Sequence, residues 1–213
     1  MAFLEEDLAL ELLLRERLVL RLRMEDGPRA LSALKALRRG GIRAVDIDPP
    51  GPGPAAFVLS RLRREHPLLV GAGSLVTAEQ VREASRFGAA WGVIPGPRKD
   101  LVDAGREEGL LLLVRVRTEA DLSRALRLDA ACLLLAPPLA GKGCSLPRLL
   151  GEGALSAGIE APWGASPPPW ASFHLVTRGL LPQGFLEEGR FPELERLVGE
   201  GLEELAGEGR EGL

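Results

Sequence analysis

Short apolar runs alternate along the chain with stretches whose apolar residues recur three and four positions apart. The runs predict strands over Leu18–Met24, Ile42–Asp48, Leu68–Leu75, Ala89–Ile94, Leu110–Arg117, Ala130–Ala136, Ala154–Pro162 and Ser172–Leu181. The intervening stretches predict helices. Gly27–Gly40 carries Ala30, Leu31, Leu34 and Leu37 on one face and stops at Gly40-Gly41. Further helices are expected from Pro54 to about Glu65, after Thr77, over Pro97–Gly109 and Thr118–Leu128, and at the end over Pro192–Ala206. Thr77 with Gln80, and Thr118 with Asp121, have the spacing of capping boxes. Ahead of the first strand, Met1–Arg17 places Phe3, Leu4, Leu8, Leu12 and Leu13 at helical spacing, an amphipathic helix that packs on the domain formed by 18–213. Eight strand–helix units of about 25 residues, with no long linker, predict a single (β/α)8 barrel of the α/β class. An open doubly wound sheet is the competing arrangement, but the GxGxxG turn it usually carries after its first strand is absent. The Pro- and Gly-rich stretch Pro162–Trp170 reads as an irregular loop.

Alternation along each strand divides its residues between two faces. Leu18, Leu20, Leu22 and Met24 alternate with Val19, Arg21 and Arg23; Val45 and Ile47 alternate with Asp46 and Asp48; Val114 and Val116 alternate with Arg115 and Arg117. In a closed barrel the apolar sets face the helices, so the charged sets point inward, with Glu160 of the seventh strand joining them. Unpaired charges inside would cost several kcal/mol each, so Asp46 and Asp48 are expected to pair with Arg21, Arg23 or both. The surplus of arginine, if not consumed by a purely structural ion network, offers a place for a carboxylate or phosphate at the C-terminal mouth. Gly71 and Gly73 lie inside the third strand, where glycine marks close packing or room for a ligand.

The chain has 213 residues, 46% of them hydrophobic, enough for a folded core. Its net charge of −3 disfavours nucleic acid as a partner. No apolar run reaches the length of a membrane span, and the acidic start, Glu5, Glu6 and Asp7, is unlike a signal peptide. The two cysteines, Cys132 and Cys144, form no disulfide framework, which fits a reducing cytoplasm. Two histidines and scattered acids show no metal-ligand spacing, so no metal or cofactor is expected. Among 27 basic residues only Lys35, Lys99 and Lys142 are lysines.

Several segments are similar to the KDPG/KHG aldolases: Ala36-Leu37 through Gly41-Ile42-Arg43, Leu69-Val70-Gly71-Ala72-Gly73-Ser74-Leu75 with Thr77 and Glu79-Gln80-Val81, Pro95-Gly96, Leu128-Asp129, and Gly179-Leu180-Leu181-Pro182 through Glu187-Glu188-Gly189. The resemblance runs from about Arg17 to Ala206. It implies a (β/α)8 barrel, usually a homotrimer, and a lysine Schiff base that splits an aldol into pyruvate and an aldehyde. Beside the inward arginines Arg21, Arg23, Arg115 and Arg117 that alternation places at a binding surface, the resemblance adds Gly71, Gly73, Ser74, Pro95, Gly164 and Arg178.

The family's chemical positions are altered. Asp46 stands for its glutamate, Pro50 for its carboxylate-holding arginine, Ile94 for the serine before Pro95, and Cys132 for the Schiff-base lysine. Trp163-Gly164-Ala165 and Thr177-Arg178-Gly179 replace its glycine-rich turns. A thiol forms no iminium and arginine stays protonated, so neither substitutes for the amine. Three readings follow: a diverged barrel that binds a protein partner or an anionic metabolite such as a keto acid or phosphate, a working lyase using Lys142 or Lys99, and a structural, oligomerising barrel. Cys132 is expected to be a buried small hydrophobe rather than a nucleophile.

Overall fold

The computed structural model describes residues 6–23, 27–48, 68–140, 156–165, 168, 170–178, 185 and 188–211. The expected helix 54–65 lies outside them, as does Lys142. Eight parallel strands close into a barrel in chain order: β1 (Leu18–Arg23), β2 (Ala44–Asp48), β3 (Leu69–Ala72), β4 (Trp91–Ile94), β5 (Leu111–Val116), β6 (Cys132–Leu135), β7 (Ser156–Pro162) and β8 (Phe173–Arg178). Around and between them lie α1 (Glu6–Glu16), α2 (Gly27–Arg39), α3 (Ala78–Phe87), α4 (Lys99–Glu108), α5 (Glu119–Arg127), the short α6 (Pro137–Ala140) and α7 (Phe191–Glu211). The short α6 follows β6 after the single residue Ala136.

Local chemistry sets the helix ends. Both capping boxes form: Thr77 accepts from the Gln80 amide and Thr118 from the Asp121 amide, and each N3 side chain returns a bond to its cap. Gly88 and Gly109 close α3 and α4 at φ of 83° and 63°, left-handed values that suit glycine.

Two apolar layers share the strands between them. Leu20, Leu22, Val45, Ile47, Val114, Val116, Leu133 and Leu135 pack outward on helix residues such as Leu34, Leu37, Leu101 and Leu122. The alternate residues, Val19, Ala44, Trp91, Val93, Leu113, Cys132, Leu134, Phe173 and Leu175, fill the inside together with Ala9 and Leu13 of α1. Thus α1 closes the N-terminal end of the barrel, and its buried Leu13 is one wall of the interior. A large apolar side chain such as Leu13 contributes about 1.5–3 kcal/mol on full burial.

The strand register sorts the inward residues by height. Arg21 pairs with Asp46, Asp46 with Gly71, Leu113 with Cys132, and Leu134 with Gly158. Because barrel strands are staggered, side chains at one height come from alternate strands. The lowest layer holds Ala44, Trp91, Cys132 and Phe173. Above it come Val19, Gly71, Leu113 and Gly158, then Asp46, Val93, Leu134 and Leu175, then Arg21, Gly73, Arg115 and Glu160. The glycines explain the fit of the two aromatic rings. A β-carbon on Gly71 would lie 1.8 Å from Trp91 Nε1, and one on Gly158 would lie 2.4 Å from the Phe173 ring.

Candidate functional site in the charged layer of the barrel

Arg21, Asp46, Glu160 and Arg115 form one connected set in the upper half of the barrel. Arg21 Nε donates to Asp46 Oδ2 at 2.7 Å and Nη1 donates to Glu160 Oε1 at 3.3 Å. Arg115, across the barrel, donates from Nη2 to Glu160 Oε2 at 2.5 Å. Trp91 Nε1 donates to Asp46 Oδ1 at 3.3 Å, reaching up from the lowest layer through the room that Gly71 leaves. Asp46 is 0% exposed and Glu160 3%, whereas Arg115 is 33% exposed and forms the side of the set nearest the mouth. Two cations and two carboxylates balance within it, as buried charges require.

Burial dominates the Asp46 carboxyl and pushes its pKa above the usual carboxylate range, against the opposing pull of the Arg21 charge and hydrogen bond. For Arg21, burial acts downward, but Asp46 and Glu160 outweigh it and hold the guanidinium charged. Two buried donors find no partner: Arg21 Nη2 and Arg115 Nε. No side chain from Gly73 intervenes beside them; a β-carbon there would lie 2.7 Å from Asp46 Oδ2 and 3.2 Å from Arg21 Nη2.

The other expected site residues lie elsewhere. Arg23 is exposed at the end of β1 and forms no ion pair among the described residues, so it does not neutralise Asp48. Asp48 is half-buried and accepts instead from the Ser74 amide at 2.9 Å. Arg117 falls one residue past β5; it is exposed, and its guanidinium donates to the Pro95 carbonyl at 2.9 Å. A strand end at the rim meets water, so alternation no longer forces its charges inside. Gly71 is filled by the Trp91 indole rather than open to the mouth. Gly164 is exposed, with a φ of 75° and open space about its α-carbon. The backbone of Arg178 ends β8, and its side chain lies outside the described residues.

Cys132 is 0% exposed in the lowest layer, and burial raises its thiol pKa. The inward β6 residue level with Asp46 is Leu134, also fully buried. Lys99 is exposed and forms an ion pair with Asp103 at 2.5 Å, one turn along α4. Among the described residues no group of His, Cys, Asp or Glu is arranged to hold a metal ion. Nor is any helix there long and apolar enough to cross a membrane. The charged layer shows what sequence alone understated: Glu160 bridges two arginines, and Trp91, placed by Gly71, anchors Asp46.

The family model described as KDPG and KHG aldolase matches residues 10–148, which include Arg21, Asp46, Arg115 and Cys132. The chain belongs to the KDPG and KHG aldolase family. A 2-dehydro-3-deoxy-phosphogluconate aldolase of Pseudoalteromonas atlantica is 31% identical over 104 residues, covering 48% of each chain. The match thus spans about half the length of that curated relative. Solved structures share the fold. The KDPG aldolase of Legionella pneumophila, described with pyruvate captured as a covalent carbinolamine intermediate, has a TM-score of 0.70 at 18% identity and covers 87% of this chain and 93% of its own. The 2-keto-3-deoxy-6-phosphogluconate aldolase of Zymomonas mobilis ZM4, described with 3-phosphoglycerate, has a TM-score of 0.70 at 19% identity and covers 90% and 93%.

Proposed function

We propose that this KDPG/KHG-family barrel binds a small anionic metabolite, a 2-oxo acid or a phosphate, at its C-terminal mouth without forming a Schiff base. One observation carries this reading: the inward residues of β6 are a buried thiol and a buried leucine, Cys132 and Leu134, and no amine stands on that strand. An iminium requires a lysine there or nearby, and a thiol supplies no electron sink for breaking a carbon–carbon bond. Lys99 is exposed on α4 and held in a surface pair with Asp103, outside the barrel interior.

The anion preference rests on the rim. Arg23 and Arg117 are exposed there and neither is matched to a carboxylate among the described residues. The ligands described with the Legionella and Zymomonas structures, pyruvate and 3-phosphoglycerate, are anions of this class. A cytoplasmic homotrimer is the assembly we propose from the family resemblance. A purely structural barrel is the rival reading, favoured by the internal balance of the four charges.

Thermal unfolding with added pyruvate or phosphate separates these. A ligand at ten times its Kd stabilises the native state by about 1.4 kcal/mol. For a domain of this size that corresponds to a rise in Tm of about 3–5 °C. The reading predicts such a rise with at least one of the anions, and a smaller one in Arg23→Met/Arg117→Met. No rise with either anion at millimolar concentration favours the structural barrel.

A further inference from the structure

The depth that an anion reaches in this mouth is set by Glu160, an inference that rests on the anion-binding reading above. Barrel closure puts β7 midway between β1 and β5, two strands from each. Glu160 uses that position. Its Oε1 accepts from Arg21 Nη1 at 3.3 Å, and its Oε2 accepts from Arg115 Nη2 at 2.5 Å. The fourth position at this height is Gly73, just past β3, which has no side chain to offer. A carboxylate with each oxygen on a guanidinium group is also the way arginines receive the head of an acidic ligand. Here the protein supplies that carboxylate itself, on a side chain only 3% exposed. Glu160 is the one carboxylate paired with Arg115 among the described residues, while Asp46 holds Arg21 from its other side at 2.7 Å. Above the set, Arg23 and Arg117 meet solvent at the rim.

We propose that Glu160 determines the specificity of the mouth: its carboxylate fills the interior seat between Arg21 and Arg115, so external anions engage the rim alone. A short monocarboxylate enters the seat only when the Glu160 carboxylate is removed. Two features keep the seat in place without it. Arg21 is tied to the buried Asp46, so it does not follow into the space. Gly73 projects nothing into the layer that could fill it. Truncation of Glu160 to alanine removes a CH2–carboxylate unit, the outline of acetate, from a packed interior, and formate is smaller still. Benzoate is too large for that opening. Glu160→Gln makes the same change of charge but keeps the space filled. The way in runs past Arg115, which is 33% exposed.

Thermal unfolding of the full chain reads occupation of the seat. Wild type, Glu160→Ala and Glu160→Gln are heated with sodium formate, acetate or benzoate, each against chloride at equal ionic strength. With formate or acetate, the Tm of Glu160→Ala is expected to rise by about 3–5 °C more than that of wild type, the shift for a ligand at about ten times its Kd. Glu160→Gln is expected to track wild type, because an effect of charge alone would be common to both variants. Benzoate is expected to give Glu160→Ala no extra rise. Adding Arg115→Met to Glu160→Ala is expected to abolish the extra rise. Glu160→Ser leaves a similar opening and takes the place of Glu160→Ala if the alanine variant fails to fold. Equal rises in wild type and Glu160→Ala overturn the proposal. So does a rise in Glu160→Gln that matches Glu160→Ala, a benzoate rise that matches acetate, or an extra rise that survives Arg115→Met. An extra rise in Glu160→Ala with no anion effect on wild type contradicts binding at the rim and supports the interior seat.

Discussion

Replacing Asp46 with leucine tests the charged layer most severely. Asp46 is wholly buried and takes hydrogen bonds from Arg21 Nε at 2.7 Å and Trp91 Nε1 at 3.3 Å. Leucine has the same branched outline but larger methyl ends, so the change removes charge and acceptors without opening a cavity. Breaking a buried pair by deleting one partner costs about 3–5 kcal/mol. Arg21 keeps its bond to Glu160, which places the expected loss near the lower end, about 3 kcal/mol. The lost acceptor for the Trp91 indole adds about 1 kcal/mol. Urea unfolding followed by tryptophan fluorescence measures the change, and a double-mutant cycle with Arg21→Met isolates the pair. Asp46→Leu/Arg21→Met should recover at least about 1 kcal/mol over the sum of the singles, because an apolar pair replaces a stranded cation. A loss below about 0.5 kcal/mol in Asp46→Leu, the range of a solvated surface pair, refutes the inward placement of these charges.

Three further outcomes follow from the same geometry. Gly71→Ala drives a β-carbon into the Trp91 indole at 1.8 Å, so stability should fall by about 1–3 kcal/mol and the tryptophan emission should change; an unperturbed spectrum contradicts the packing. The raised Asp46 pKa means that the native state holds this proton more tightly than the unfolded chain. Its contribution is therefore present below the ordinary aspartate value and is lost as pH rises through the raised value. Against Asp46→Asn, wild-type stability should decline with pH across that window, and parallel profiles would contradict the shift. In Cys144→Ser, the remaining Cys132 thiol should resist a disulfide reagent in the native state and react fully in denaturant, since burial raises its pKa and shields it; fast native labelling would contradict its place in the lowest layer.

Much of this was legible from residue order. The period-two alternation around Leu20, Val45 and Val114 identified the outward faces, and their charged alternates Arg21, Asp46 and Arg115 do face inward. Alternation gives the face of a residue but not its height. That is why Arg23 and Arg117, on the same faces, emerge at the rim into water. Height also separates Cys132 from Leu134: both point inward, and only the stagger of the closed sheet shows that Leu134, not Cys132, stands level with Asp46. The Trp91–Gly71 and Phe173–Gly158 contacts did leave a signal, a glycine at an inward position beside a strand carrying an inward aromatic ring. Reading it required the pairing of neighbouring strands.

The inner face of β6 supplies no amine, and the guanidinium groups of Arg21 and Arg115 carry the positive charge of the barrel interior instead. Intact-mass measurement after incubation with pyruvate and borohydride tests it directly. The mass of the full chain is expected to stay unchanged. A gain of one reduced pyruvate unit, mapped to Lys35, Lys99 or Lys142, would contradict it.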